Sequence, residues 1–216
     1  MILALETSSV ICGASLHENG ELIAELHLKE ARVHAEKLVG LVDQLFTEQK
    51  IRVPKLKAVI VSAGPGSFTG LRIGMSFAKG LVYPHGIALA GVNTMRAYMH
   101  STLKKADLDK NPLWIIRSHK DYIYTAEYKD PIKEIEIRYG QIKDIAEWYP
   151  KCGQIICNDD LPEITEIPLI EEDIMASMMA EYYLTYKNDS ADTDYDSLVL
   201  EYGMAYKPKE WKPASS

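Results

Sequence analysis

The sequence predicts an α/β protein of two lobes, each a mixed sheet with helices packed against it. Three observations carry that reading. Residues 1–100 alternate strand-length apolar runs with two amphipathic helical stretches, in the order β-β-β-α-β-α-β. The pair Asn19-Gly20 stands between two alternating runs, where a two-residue hairpin turn belongs. After about residue 100 the succession of strands and helices restarts, with no low-complexity linker and no internal repeat. We therefore expect a first lobe of ribonuclease-H-like order over residues 1–100 and a smaller α/β lobe over 101–216.

Each element has its own reason. The opening run ILALETS is apolar enough for a buried strand, and residues 10–17 and 21–28 flank ENGE, completing a three-stranded meander. Residues 31–49 read as a helix. At 100° per residue, His34, Ala35, Leu38, Val39, Leu41, Val42, Leu45 and Phe46 fall within an arc of about 160°, wider than the ~100° stripe that one packed face requires. LKAVIVS is then a strand, GLRIGMSFAKGLVY a helix and GIALAGVN a strand, with Pro84 and Gly86 marking the exit from the second helix. In the second half, LWIIRSHKDYIYTAEY reads as a hairpin turning at residues 119–121. A strand near 134–139, a helix near 142–149, the strand GQIIC and the helix DIMASMMAEYYLTYK follow. A polar, acidic loop and the tail AYKPKEWKPASS end the chain.

Charge argues against one class of partner. The 216 residues carry a net charge of -7. Residues 1–100 hold ten Lys and Arg against eight Asp and Glu, a balance of +2, whereas residues 101–216 hold fourteen against twenty-three, a balance of -9. The most acidic stretch, 159–201, has Lys187 as its one basic residue apart from histidine. Such a surface repels polyphosphate, and no basic patch interleaved with aromatics offsets it, so this chain alone is expected to bind nucleic acid poorly. No run approaches the ~18 apolar residues of a membrane span. The start MILALETSSV lacks a basic n-region and a cleavage site, which predicts no signal peptide. Cys12, Cys152 and Cys157 are odd in number, have no C-x-x-C spacing, and read as reduced thiols of a cytoplasmic protein.

The segment SAGPGSFTGLRIG, residues 62–74, has the glycines and hydroxyls of a phosphate loop. It fails the specific tests. Counted from Gly64, the sixth position is Thr69 rather than glycine, and no Lys-Ser or Lys-Thr follows. Gly64 and Gly66 are followed by Gly70 one residue too late for G-x-G-x-x-G. Ser67 or Thr69 would cap the following helix, and its amides could hold an anion. Without a lysine or a metal-binding carboxylate, a turn that launches a helix is the better reading. In that helix Gly70, Gly74 and Ala78 form a smooth strip, with Ile73 and Phe77 on one side and Leu71, Met75 and Val82 on the other. Interior glycine costs ~1 kcal/mol relative to alanine, so a close approach by another backbone should compensate it. Either the two helices simply pack on each other, or the pair also forms a protein–protein surface.

Together, ILALETSS, ENGEL, HAEKLVGLVDQLF, SAGPGSFTGLRIGMSFAKGL and GVNTMRAYMH resemble the TsaB family, also called YeaZ. The resemblance covers residues 1–100, and GPGSFTGLRIG is its most specific part. It implies the two-lobed fold shared by actin, Hsp70 chaperones and sugar kinases. It also implies a non-catalytic subunit that joins the catalytic subunit TsaD and the ATPase TsaE. That complex installs N6-threonylcarbamoyl on adenosine 37 of tRNAs reading ANN codons. On this resemblance the two helices build a bundle with TsaD, or with a second copy as a homodimer. The implied interface is His34, Leu38, Leu41, Val42, Leu45, Phe46, Gly70, Leu71, Ile73, Gly74, Phe77 and Ala78. Gly74→Leu is then expected to abolish partner binding while leaving the monomer folded. ATP and metal are expected on the partner, which also binds most of the tRNA, and no cofactor is expected to bind this chain tightly.

The catalytic relatives carry H-x-x-x-H after a Gly-Val-Asn-like lead. Here GVN is followed by Thr94 and Tyr98 at those places, and a hydroxyl and a phenol are poor ligands for iron or zinc. The six histidines, His17, His27, His34, His85, His100 and His119, form neither H-x-x-x-H nor H-E-x-x-H. No catalytic residue and no metal site are therefore expected. Nucleotide-using members of the fold place an aspartate and small hydroxyls at the end of the first strand, where this chain has Glu6, Thr7, Ser8 and Ser9. Glu6, Ser8, Gly64 and Gly66 are accordingly the candidate nucleotide contacts. The competing reading is an independent ATP-binding, kinase-like or metallopeptidase-like enzyme of the same fold. The second lobe departs from the family pattern at RSHKDYIY, CNDDLPEI and DSLVLEY, which suggests a diverged branch.

Overall fold

The computed structural model describes residues 1–130, 132–162, 164, 166–186, 195 and 198–201. Lys187, most of the acidic loop and the tail AYKPKEWKPASS lie outside these described residues.

The first sheet combines β1 (Ile2–Glu6), β2 (Ile11–Glu18), β3 (Glu21–Lys29), β4 (Ala58–Gly64) and β5 (Ala88–Asn93), in the order β3-β2-β1-β4-β5. The meander β1-β2-β3 is antiparallel, and β1, β4 and β5 pair in parallel. Asn19 and Gly20 both take positive φ, 53° and 93°, as a turn matched to the twist of a hairpin requires. The inner strands are covered on both faces, which is why their apolar runs are continuous rather than alternating. Leu3, Leu5, Val59 and Val61 meet α1 (His34–Glu48) and α2 (Phe68–Val82), while Ala4 and Ile60 face the opposite layer.

That opposite layer holds an element the sequence did not announce. α3 (Thr94–Thr102) follows β5 directly, and the Asn93 side chain caps it by accepting a bond from the Arg96 amide at 3.0 Å. The second sheet consists of β6 (Pro112–Arg117), β7 (Tyr122–Glu127), β8 (Arg138–Gln141), β9 (Gln154–Cys157) and β10 (Leu169–Glu171), in the order β10-β9-β6-β7-β8. It too is mixed, with β6 parallel to β9 and antiparallel to β7. The expected strand near 134–139 lies at Arg138–Gln141, after a short turn of helix at Ile132–Glu134. The expected helix over 142–149 is a 3-10 turn followed by the four-residue α4 (Ile145–Trp148). β10 was not anticipated.

The two sheets share a core. α5 (Ala176–Tyr186) follows the second sheet in sequence yet packs on β1 and β2 of the first and on α3. Its start is capped from β3, where the Glu25 carboxylate accepts bonds from the Ser177 amide at 2.8 Å and the Ser177 hydroxyl at 2.9 Å. Lys29 bridges to Glu171 at 3.3 Å and to Asp173 at 2.8 Å beside it. One apolar cluster runs from Ala4 and Ile60 through Tyr98 and Met179 to Trp114 and Ile156, joining both sheets. Trp114 Nε1 donates to Thr102 Oγ1 at 2.8 Å, fixing β6 to α3.

Candidate functional site

The glycine loop serves its own helix and strand. Gly64 has φ of 106°, a conformation side chains rarely adopt, and a Cβ there would run into the carbonyl oxygen of Glu201. The Ser67 amide donates to Ser8 O at 2.7 Å, and Ser67 Oγ accepts from the Gly70 amide at 3.2 Å, capping α2. A Cβ on Gly70 would meet Thr7 O, and one on Gly74 would meet Thr7 Oγ1. The close approach implied by the glycine strip is therefore made by the end of β1, inside this chain. Gly74→Leu would drive a large side chain into Thr7 and disrupt the fold itself. This corrects the expectation of a folded monomer for that variant.

The residues assigned to a partner face divide in two. His34, Leu38, Leu41, Val42, Leu45, Phe46, Gly70, Leu71, Gly74 and Ala78 are buried in the chain's own core, because α1 packs on β2 and α2 on β4, although His34 and Leu38 also reach the floor of the groove between the two helices. His34 Nε2 lies 3.1 Å from Ile11 O, the bond of a core histidine. Ile73 and Phe77 are half-buried and border a groove of about 480 Å³ between α1 and α2. Val39, 58% exposed, and Phe68, 41% exposed, complete its apolar wall, and the Arg72 guanidinium lies 3.8 Å over the Phe68 ring. Val39 and Phe68 were missing from the sequence-derived interface. Val39 sits at the edge of the wide arc on α1, which was the available signal. Phe68 begins α2, where periodicity says nothing.

Beside this groove opens a cleft of about 830 Å³, bounded by the Ser8-Ser9 turn, the start of α1, the start of α2 and the β6–β7 turn. Arg32, Arg117 and Lys120 line it together with Ser9, Thr69, Ser118 and Asn158. Arg117 is itself held, its amide donating to Asn158 Oδ1 at 2.7 Å and its guanidinium to Asp160 O. Asp159 is the one carboxylate side chain among the described lining residues, so paired acids that would chelate magnesium are not among them. Of the candidate nucleotide residues Glu6, Ser8, Gly64 and Gly66, Ser8 lines this cleft and the other three do not, and all four are buried. Glu6 Oε1 accepts from the Ser8 amide at 2.6 Å, Ser8 Oγ at 2.5 Å and the Ser9 amide at 3.1 Å. Burial pushes the Glu6 pKa up to about 7, and its bonds from Ser8, Ser62 and Ser9 offset only part of that rise.

Thr94 and Tyr98 knit the core. Thr94 Oγ1 accepts from the Gly64 amide at 3.3 Å, and the fully buried Tyr98 donates its hydroxyl to Glu172 O at 3.0 Å, with burial raising its pKa. Among the described residues no three His, Cys, Asp or Glu side chains gather as a metal site. Burial also raises the Cys12 and Cys157 thiols, to about 11 and about 12, which makes them inert. Among the described residues no helix is long and apolar enough to cross a membrane.

Known proteins share this fold. A family profile described as TsaD, tRNA N6-adenosine threonylcarbamoyltransferase, matches residues 24–150, more than half of the chain. The tRNA threonylcarbamoyladenosine biosynthesis protein TsaB of Escherichia coli K12 is 29% identical over 128 residues, 59% of this chain and 54% of that protein. A tRNA N6-adenosine threonylcarbamoyltransferase of Shouchella clausii is 29% identical over 175 residues, 72% of this chain and 51% of that protein. The solved structure of YeaZ from Pseudomonas aeruginosa superposes with a TM-score of 0.68 at 17% identity, covering 93% of this chain and 98% of that one. The chain spans about half the length of the curated relatives it matches. It belongs to the threonylcarbamoyltransferase family that this profile defines, and within that family to the TsaB, or YeaZ, group.

Proposed function

We propose that this chain is a non-catalytic assembly subunit. Through the outward α1–α2 face it holds a TsaD-like catalytic subunit in place for N6-threonylcarbamoylation of adenosine 37 in tRNAs reading ANN codons. One observation carries the reading: two adjacent helices leave Val39, Phe68, Ile73 and Phe77 around an open groove. A groove walled by apolar and aromatic side chains is what a helix from another chain can fill. A second copy of this chain occupies the same face when the catalytic subunit is absent, and a TsaE-like ATPase is the further partner.

ATP and metal belong to the partner in this scheme. The cleft's cations suit an anion, but the lining offers neither a phosphate-loop lysine nor paired carboxylates. The charge of -9 on residues 101–216 leaves the tRNA mainly to the partner as well.

An omission assay tests the proposal. Purified TsaD and TsaE homologues from the same organism receive threonylcarbamoyl-adenylate and unmodified tRNA, with and without this chain. Product is expected only with the chain present, and equal product without it overturns the reading. Val39→Asp places a charge on an exposed position of the groove. It is expected to weaken binding of the catalytic subunit about tenfold or more while leaving the thermal midpoint within a few degrees.

A further inference from the structure

The described residues near the C-terminus follow the second sheet in sequence but lie along α2. Tyr195 is buried, donates its hydroxyl to Ile87 O at 2.9 Å, and sets its ring 6.0 Å from that of Tyr83, the residue just after α2. Leu198 and Leu200 pack on the apolar cluster that α2 shares with the first sheet, Leu198 lying against Gly91 of β5. At the opposite end of α2 the Glu201 amide donates to Ala63 O at 2.7 Å, at the step where the β4–β5 register shifts. Glu201 Oε2 accepts from Asn93 Nδ2, the same side chain whose oxygen caps α3, and Glu201 O fills the space beside Gly64.

We infer that Tyr195 and residues 198–201 act as a strap fixing both ends of α2. Through it these residues govern how well the α1–α2 face recognises its partner. The helix has reason to need this. Gly70, Gly74 and Gly80 lower its intrinsic stability, and it starts from a loop with few side chains to anchor it. A face held rigid before docking loses less conformational freedom on binding, so an anchor remote from the groove strengthens association. The half of the inference that concerns recognition rests on the assembly reading above.

The test uses the full chain. Tyr195→Phe with Glu201→Ala removes both side-chain anchors and retains the Tyr195 ring, and Tyr195→Phe alone is the milder second variant. Amides of Gly64, Gly66, Ser67 and the last turn of α2 are expected to exchange about tenfold faster or more, with those of β1 unchanged. Affinity for the purified TsaD homologue is expected to fall about five- to tenfold. Unchanged exchange at the ends of α2 overturns the strap. Faster exchange with full affinity overturns its control of recognition. If the unaltered chain does not bind that subunit at all, the assembly reading and the recognition half fall together, and exchange alone decides whether α2 is strapped.

Discussion

Glu6 is the side chain whose chemistry departs most usefully from its ordinary state. It ends β1 beneath the cleft, and burial lifts its pKa from 4.5 to about 7. Between those two values the folded chain retains a proton that the unfolded chain has released. Folding stability contributed by this group is therefore highest below pH 4.5 and is lost as pH rises through 7. The loss is on the order of 3 kcal/mol. Glu6→Gln keeps an oxygen to accept from the Ser8 and Ser9 amides and removes the titration. The difference in urea midpoint between pH 5 and pH 8 is expected to shrink in the variant. An undiminished difference would mean that other groups set the pH dependence. The same residue shows how a functional signal can be structural. An acid at the end of the first strand points to a nucleotide by position, whereas here its Oε1 accepts from the Ser8 and Ser9 amides and so shapes the turn on which α2 begins.

Among elements, α5 shows most plainly how one residue secures a helix far away in sequence. Glu25 of β3 accepts both the amide and the hydroxyl of Ser177 at the start of α5, doing across 152 positions what an N-cap does across two or three. Glu25→Ala is expected to cost about 1 kcal/mol, by analogy with a lost helix cap. Faster exchange confined to the first turn of α5 should accompany that cost. Uniform protection would show that water replaces the carboxylate. This cap was illegible in the sequence, because no local pattern joins residues 25 and 177. The strands of the first sheet and the first two helices were legible, since continuous apolar runs and the arc on α1 are local signals, whereas β10 was not. Nor was α3, because TMRAYMHST is short and only weakly apolar, and its buried side, Met95, Tyr98, Met99 and Thr102, is covered by elements distant in sequence such as β6 and α5. The partner face was half legible. A wide arc says that a helix is covered on more than one side, but periodicity cannot say whether β2 or another chain covers it. Thus Leu41 and Phe46 proved to be core, while Val39 of the same arc remained on the surface.

At the scale of the molecule, sequence order and spatial order disagree, and that disagreement has a consequence for folding. The meander, β4 and β5 come before the second sheet, yet α5 and Tyr195 return to the first sheet after it. Trp114 of β6 hydrogen-bonds α3, and Ala4, Tyr98, Met179 and Ile156 belong to one apolar cluster. Lys29 adds an ion pair to Asp173 across the same boundary, but exposed pairs are worth only about 0–1 kcal/mol, so the shared cluster is the dominant tie. Each sheet also has an apolar cluster of its own, around Leu5 and Val61 in the first and around Leu113 and Ile155 in the second, but removing the second sheet would expose the face of α3 that β6 covers and cut Trp114 and Ile156 out of the shared cluster. The chain is therefore expected to unfold as one unit. Native-state amide exchange in increasing urea measures this directly. The slowest amides of β1 and β4 should converge on the same opening free energy as those of β6 and β9. Opening of β6 and β9 at clearly lower urea would make the second sheet an independent unit, with α5 and the strap held by the first sheet alone.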